Sequence, residues 1–246
     1  MAGMELDRKV ALVTGGAVRV GRAISLALAR EGADIYIHYN RSEAPAAELR
    51  DMIVDTGGTA AIGSGDLSSP EAAHSIIAAA TEALGPVSIL VNSASGFPTD
   101  SILDVTVEQW RRTMDLTLGS PLFLIQAFAK HLGDEAEGAV VNVTDVKTQR
   151  PYLEHVSYML AKGGVDTLTK AAALALAPRI RVNAVALGVI LPPPGETEEY
   201  VNALAEDIPL ARAGGAEVVA DTVVYLAKND FVTGEIVRLD GGAHLV

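Results

Sequence analysis

Tyr158 and Lys162 stand four residues apart in the run YMLAKGGVDTLTKAAALALA (158–177). The run has helical spacing, so both side chains share one face. A tyrosine of ordinary pKa, near 10, is a poor acid–base catalyst at neutral pH. A neighbouring ammonium favours the phenolate and draws that pKa towards the working range. Asp145 lies thirteen residues before the tyrosine, at the end of the apolar run GAVVNVTD (138–145). If that run is a buried strand, the aspartate sits where open α/β sheets gather their ligands, beyond a strand C-terminus. The cluster could relay a proton, with Asp145 positioning Tyr158 or donating directly. Asp145 could equally do no more than keep a hydrogen bond.

The elements that must hold this cluster alternate. VALVTGG (10–16), DIYIHYN (34–40), SILVNSA (88–94), GAVVNVTD, IRVNAVALG (180–188) and EIVRLDGG (235–242) read as strands, with AAIGSGDL between the second and third of these. Helical stretches over 20–31, 45–58, 70–84, a long region through EQWRRTMDLTLGSPLFLIQAFAKHL and 158–177 separate them. Ile24 and Leu28 mark the buried face of the first helix, Gly32 closes it, and Pro178 stops the last. The pattern predicts one α/β domain over residues 1–246: a doubly wound parallel sheet, or Rossmann fold, with helices on both faces. PPPGETEEY (192–200) breaks the alternation, and residues from about 189 to 212 are read as a mobile loop covering the site.

The chain has 246 residues, 49% of them hydrophobic, and a net charge of −12. The acidic balance argues against a nucleic-acid partner. It leaves an anionic small ligand open, because a local arginine pocket can oppose the global charge. The sequence contains no cysteine, which removes disulfides and thiolate chemistry and fits a cytoplasmic protein. No apolar run is long enough to be read as a signal peptide or membrane span, so a soluble protein is expected. The five histidines show no metal-ligand spacing, and no metal is expected.

TGGAVRVG (14–21) joins the first strand to the first helix. Such a turn is either an ordinary βα connection or a pyrophosphate cradle, with Gly15 and Gly16 allowing close approach and Gly21 close helix packing. Arg19 inside it is either a surface side chain or a fork facing the pyrophosphate and a polar ligand edge. After the second strand comes His38-Tyr39-Asn40-Arg41-Ser42, without the carboxylate that would bond the ribose hydroxyls of NAD. Asn40, Arg41 and Ser42 there favour NADPH.

These motifs, in this order, resemble the short-chain dehydrogenase/reductase family over essentially the whole chain: TGGAVRVG, GDL (65–67), LVNSAS (90–95), Tyr158-x-x-x-Lys162, IRVNAV (180–185) and the terminal DGG. The resemblance implies hydride transfer from a nicotinamide with Tyr158 as proton donor and Lys162 on the nicotinamide ribose. It places Val20, Asp66, Leu67, Asn92, Ser93, Ala94, Gly188 and Ile190 along the cofactor, with Asp66 at the adenine and the Ile190 backbone at the nicotinamide amide. Three positions depart from the family: Asp145 replaces a serine, Arg19 a glycine and Thr117 an asparagine. Leu187 also replaces a proline. Arg19 and Asp145 together resemble the pteridine reductase branch, as do Arg41-Ser42 and Phe97 in SASGFPT. That branch implies a pterin ring stacked on Phe97, with Arg19 and Ser95 on its polar edge and Asp145 and Tyr158 at the reacting side. Phe97 could also merely fill core space. The leading expectation is an NADPH-dependent pteridine reductase. Alternatives are a carbonyl or 3-oxoacyl thioester reductase and a non-catalytic NADP-binding sensor. The family further implies pairing of the helices around 110–130 and 158–177 into a dimer or tetramer.

Overall fold

Seven parallel strands form one sheet in the order β3-β2-β1-β4-β5-β6-β7 in the computed structural model, which describes residues 3–133, 136–193 and 195–246. The strands are β1 (Val10–Thr14), β2 (Asp34–Tyr39), β3 (Ala60–Ser64), β4 (Val87–Asn92), β5 (Gly138–Asp145), β6 (Ile180–Leu187) and β7 (Ile236–Leu239). The helices are α1 (Arg19–Arg30), α2 (Glu43–Asp55), α3 (Pro70–Leu84), α4 (Val107–Met114), α5 (Ser120–Leu132), α6 (Val156–Leu176), α7 (Glu198–Ala205) and α8 (Ala216–Lys228).

Side chains alternate along each strand, so the sheet feeds two cores. Ala11, Val13, Ile35, Ile37, Ile89 and Val91 pack against Ile24 and Leu28 of α1, Leu49 and Ile53 of α2, and Val219, Val223 and Leu226 of α8. Leu12, Tyr36, Leu90 and Val140 face the other way, against Ile76 and Ile77 of α3, Leu124 and Phe128 of α5, and Ala172 of α6. The strand order reverses between β1 and β4, and a crevice opens at that switch point.

Two expectations change. The covering segment is not structureless: Thr197 caps α7 by accepting from the Tyr200 amide, and Val201 and Ala205 bury its inner face. Backbone bonds from Gly214 to Val189 and Gly215 to Ile190 close its base. The sequence reading also assigns no element between that segment and the last strand, where α8 lies. Its Ala216, Val219, Ala220, Val223 and Ala227 recur at helical spacing and are buried, largely against α1. The valine-rich composition hides that period, because β-branched residues weaken helix propensity even where packing overrides it.

Candidate active site

The TGGAVRVG turn approaches its surroundings closely. Gly15 has φ +63°, and a Cβ there would lie 3.2 Å from Ala94 Cα. A Cβ on Gly21 would come within 2.2 Å of the Gly15 carbonyl oxygen, so only glycine lets α1 start against the turn. No side chain caps α1 and its first turn holds no acidic residue, which leaves its amide groups to an anion. His38, buried at the end of β2, fixes the turn from below. Its Nδ1 accepts from the Gly15 amide at 3.3 Å, and its Nε2 meets the Gly65 carbonyl at 3.0 Å. This pattern needs the neutral ring with its proton on Nε2, and burial pushes the His38 pKa down. The sequence reading named His38 only as part of the corner. Its burial and its reach to two loops come from the tertiary fold.

A cavity of about 370 Å³ opens above this turn. Of the residues singled out from the sequence, Gly15, Arg19, Val20, Asn40, Leu67, Ser93, Ala94, Ser95, Tyr158 and Lys162 line it, as does Leu187. Thr14 Oγ1 accepts from the Ser93 and Ala94 amides at 3.0 and 3.1 Å, turning the end of β4 into the cavity wall. Arg19 takes a positive φ of 53°, and its Nη2 donates to the Pro192 carbonyl at 2.6 Å. Its guanidinium thus ties the glycine turn to the covering segment, a contact the sequence reading did not foresee.

A neighbouring hollow of about 300 Å³ shares Gly15 and Asn40 with the first and is lined by Arg41, Ser42 and Arg112. Arg112 comes from α4, far away in sequence, and no local motif announced it. Asp66 is exposed beside the cavity. The Ser68 amide and hydroxyl hold its carboxyl below the usual range, with help from Arg112 and Arg41.

Three proposed cofactor residues sit elsewhere. The Asn92 side chain turns across the sheet and donates to Asn142 Oδ1 at 2.8 Å. Its own Oδ1 is buried without a partner among the described residues. Gly188 packs where a Cβ would lie 2.7 Å from Asp240 Cα, and Ile190 belongs to the core. Neither lines the cavity among the described residues, because β6 ends by turning into the β7 connection; Leu187 is the β6 residue that reaches it.

Tyr158, on the first turn of α6, donates to Asp145 Oδ2 at 3.1 Å. Asp145 Oδ1 accepts from the Lys147 amide at 2.8 Å. The buried Lys162 ammonium donates to the Val143 carbonyl at 2.6 Å and lies 5.6 Å from the Tyr158 ring centre. Burial lowers the Lys162 pKa to about 8. The Tyr158 pKa is raised, first by burial and then by the Asp145 carboxylate. Where the resemblance implies a lowering by Lys162, desolvation and an adjacent anion here both disfavour the phenolate. Burial raises Asp145 as well. Burial and the Asp145 carboxylate thus both favour the protonated phenol.

Thr117 lies buried in a π-helical turn (Asp115–Gly119) between α4 and α5. Its hydroxyl meets Ser95 Oγ at 3.4 Å, while Lys162 takes the Val143 carbonyl. Phe97 is 41% exposed; its ring edge-packs on Tyr158 at 4.8 Å. Among the described residues, no helix is long and apolar enough to cross a membrane, and no three or more His, Asp or Glu side chains could hold a metal.

Comparison with known proteins agrees with this geometry. A family model described as enoyl-(acyl carrier protein) reductase matches residues 16–244. The crystal structure of the FolM alternative dihydrofolate reductase 1 of Brucella canis, complexed with NADP, superposes with a TM-score of 0.94 at 35% identity, covering 98% of this chain and 96% of that one. An uncharacterized oxidoreductase of Methylorubrum extorquens is 33% identical over 97% of this chain and 98% of its own length. The 3-oxoacyl-[acyl-carrier-protein] reductase of Synechocystis is 31% identical over 96% of this chain and 97% of its own. With its reversed strand order, its glycine turn and its Tyr158/Lys162 pair, the chain belongs to the short-chain dehydrogenase/reductase family of nicotinamide-dependent oxidoreductases.

Proposed function

We propose that this oxidoreductase uses NADPH to reduce a ring C=N bond of a pteridine of the dihydropterin or dihydrofolate type. One observation carries the reading: the Tyr158 ring, its hydroxyl donating to Asp145, stands perpendicular to the partly exposed ring of Phe97. A flat heterocycle stacked on Phe97 would meet a proton donor at its edge. The similarity to a dihydrofolate reductase crystallised with NADP supports the same substrate class.

The residues present fit a dinucleotide. The uncapped α1 N-terminus and the glycine turn suit a pyrophosphate. Arg41, Ser42 and Arg112 suit a 2′-phosphate where an acidic residue would repel it. A bound NADPH supplies the hydride. Tyr158 donates the proton to the ring nitrogen, Asp145 accepts from its hydroxyl and aims it, and the phenolate left behind regains its proton from solvent. Lys162 holds a positive charge beneath Tyr158, which favours the transient phenolate. Arg19 and Ser95 border the cavity where the polar edge of the ring would lie.

The Tyr158/Lys162 pair would serve a ketone equally, and the likeness to a 3-oxoacyl reductase favours that as the second reading. Product analysis separates the two. Incubation with NADPH and dihydrofolate should yield one tetrahydrofolate per NADPH consumed; consumption with ketones alone would move the assignment to the carbonyl reading. Arg41→Ala and Arg112→Ala should each raise KM for NADPH about tenfold and leave that for NADH nearly unchanged, equivalent to ~1.4 kcal/mol per contact. An unaltered coenzyme preference would remove these residues from the phosphate site.

Leu122 on α5 and Leu160 and Leu174 on α6 are exposed. This apolar surface supports pairing of those helices between copies in a dimer or tetramer.

A further inference from the structure

His155 does not lie on the catalytic cluster, yet it makes three separate contacts with the loop that carries Phe97. Its backbone amide donates to the Asp100 carbonyl at 2.7 Å. Its ring Nδ1 donates to the Pro98 carbonyl at 2.7 Å. The ring itself stacks on Phe97, with centres 3.8 Å apart and planes 19° from parallel. Two residues further on, the buried Asp100 carboxylate accepts from both the amide and the hydroxyl of Ser157. The loop is thereby bolted to the first turn of α6, the turn that bears Tyr158.

His155 also occupies the left-handed region, at φ +63°, as the residue preceding α6. A non-glycine residue held there is strained, and such strain collects where the surroundings over-determine a conformation. From this backbone position the imidazole lies over Phe97. His155 covers one face of Phe97, the Tyr158 and Tyr152 rings stand at 89° and 76° to it, and Phe97 is still 41% exposed.

We propose that His155 is a positioning residue that fixes the plane of Phe97, making a two-ring platform on which a flat substrate stacks as the third ring beside Tyr158. This rests on Phe97 as the stacking surface of the proposed reductase. Aromatic stacking is directional, so a platform free to rotate would bind the substrate ring less tightly and present its nitrogen to Tyr158 less often.

A double-mutant cycle tests it, using Phe97→Ala, His155→Asn and the pair together. Asparagine tolerates the left-handed backbone and keeps an N–H donor, but removes the ring. Where His155→Asn fails to fold, His155→Gly, which relieves the strained φ, takes its place in the cycle. Each single variant should lower kcat/KM for dihydrobiopterin about tenfold, mostly through KM, with the KM for NADPH and the melting temperature unchanged. The double variant should be no worse than Phe97→Ala alone, because His155 acts only through that ring. Losses that multiply independently, or an unaltered substrate KM in His155→Asn, would overturn the role of His155. If the wild type reduces ketones and not pterins, the pteridine reading fails by itself, and the same cycle run on the best ketone still decides whether His155 acts through Phe97.

Discussion

At the scale of single residues, burial and then the Asp145 carboxylate set the electrostatics of Tyr158. An ammonium alone would pull Tyr158 towards phenolate; burial and a carboxylate at 3.1 Å push the other way. Asp145 also raises Lys162, whose pKa burial nevertheless brings to about 8. An alkaline limb in kcat/KM is therefore expected near pH 8, as Lys162 loses its proton. The sign of the Asp145→Asn effect follows: removing a negative charge lowers the pKa of both Tyr158 and Lys162, so the limb moves to lower pH. A limb that stays in place or moves upward in the pH profile would show that Asp145 does not act on these groups. Tyr158→Phe should reduce kcat by ~10²–10⁴-fold, the usual worth of a positioned acid, while titration of NADPH fluorescence shows unchanged binding. Retained turnover would remove Tyr158 from the proton-donor role.

At the scale of elements, the glycine turn and α1 form one unit whose fit depends on a missing Cβ. Gly21→Ala would place a methyl group 2.2 Å from the Gly15 oxygen, and overpacking of this kind destabilises by ~1–3 kcal/mol. Urea unfolding should report that loss and coenzyme titration a weakened NADPH; wild-type values in both would contradict the close packing. Much at this scale is legible in the sequence, because local patterns set it. The buried apolar run VALVT, the Gly15/Gly21 spacing and the four-residue step from Tyr158 to Lys162 all survive into the structure. What was not legible depends on distant partners. Arg112 reaches Arg41 only because α4 folds back across the sheet end, and His38 becomes a clamp only when β3 and the glycine turn close on it. The valines of α8 look like a strand former until α1 provides the groove they fill. The partners of Asn92 and Ile190 are likewise distant: the Asn92 side chain bonds Asn142, and Ile190 packs in the core.

At the scale of the whole molecule, the net charge of −12 coexists with a local cationic hollow at Arg41 and Arg112, which is how an acidic protein can hold a strongly anionic phosphate ligand. The exposed apolar side chains on α6 set a further expectation. Leu174 is 86% exposed, and covering it and Leu160 in a helix pair would bury apolar area at ~25 cal/mol per Å². Light scattering should find a dimer or tetramer, and Leu174→Glu should shift it to a smaller species without changing the fold seen by circular dichroism. A wild-type monomer at micromolar concentration would remove the pairing.

The central claim is that the platform at Phe97 and the acid at Tyr158 serve a flat C=N substrate with NADPH. The most direct test compares initial rates of NADPH oxidation for dihydrobiopterin and dihydrofolate against a panel of ketones and oxoacyl thioesters at neutral pH. The expected result is a kcat/KM at least ~10-fold higher for a pterin than for any carbonyl compound, a margin that one stacking contact and one placed proton donor can supply. A ketone or thioester preferred over both pterins would contradict it, and would leave Asp145 and Phe97 as features of a carbonyl reductase.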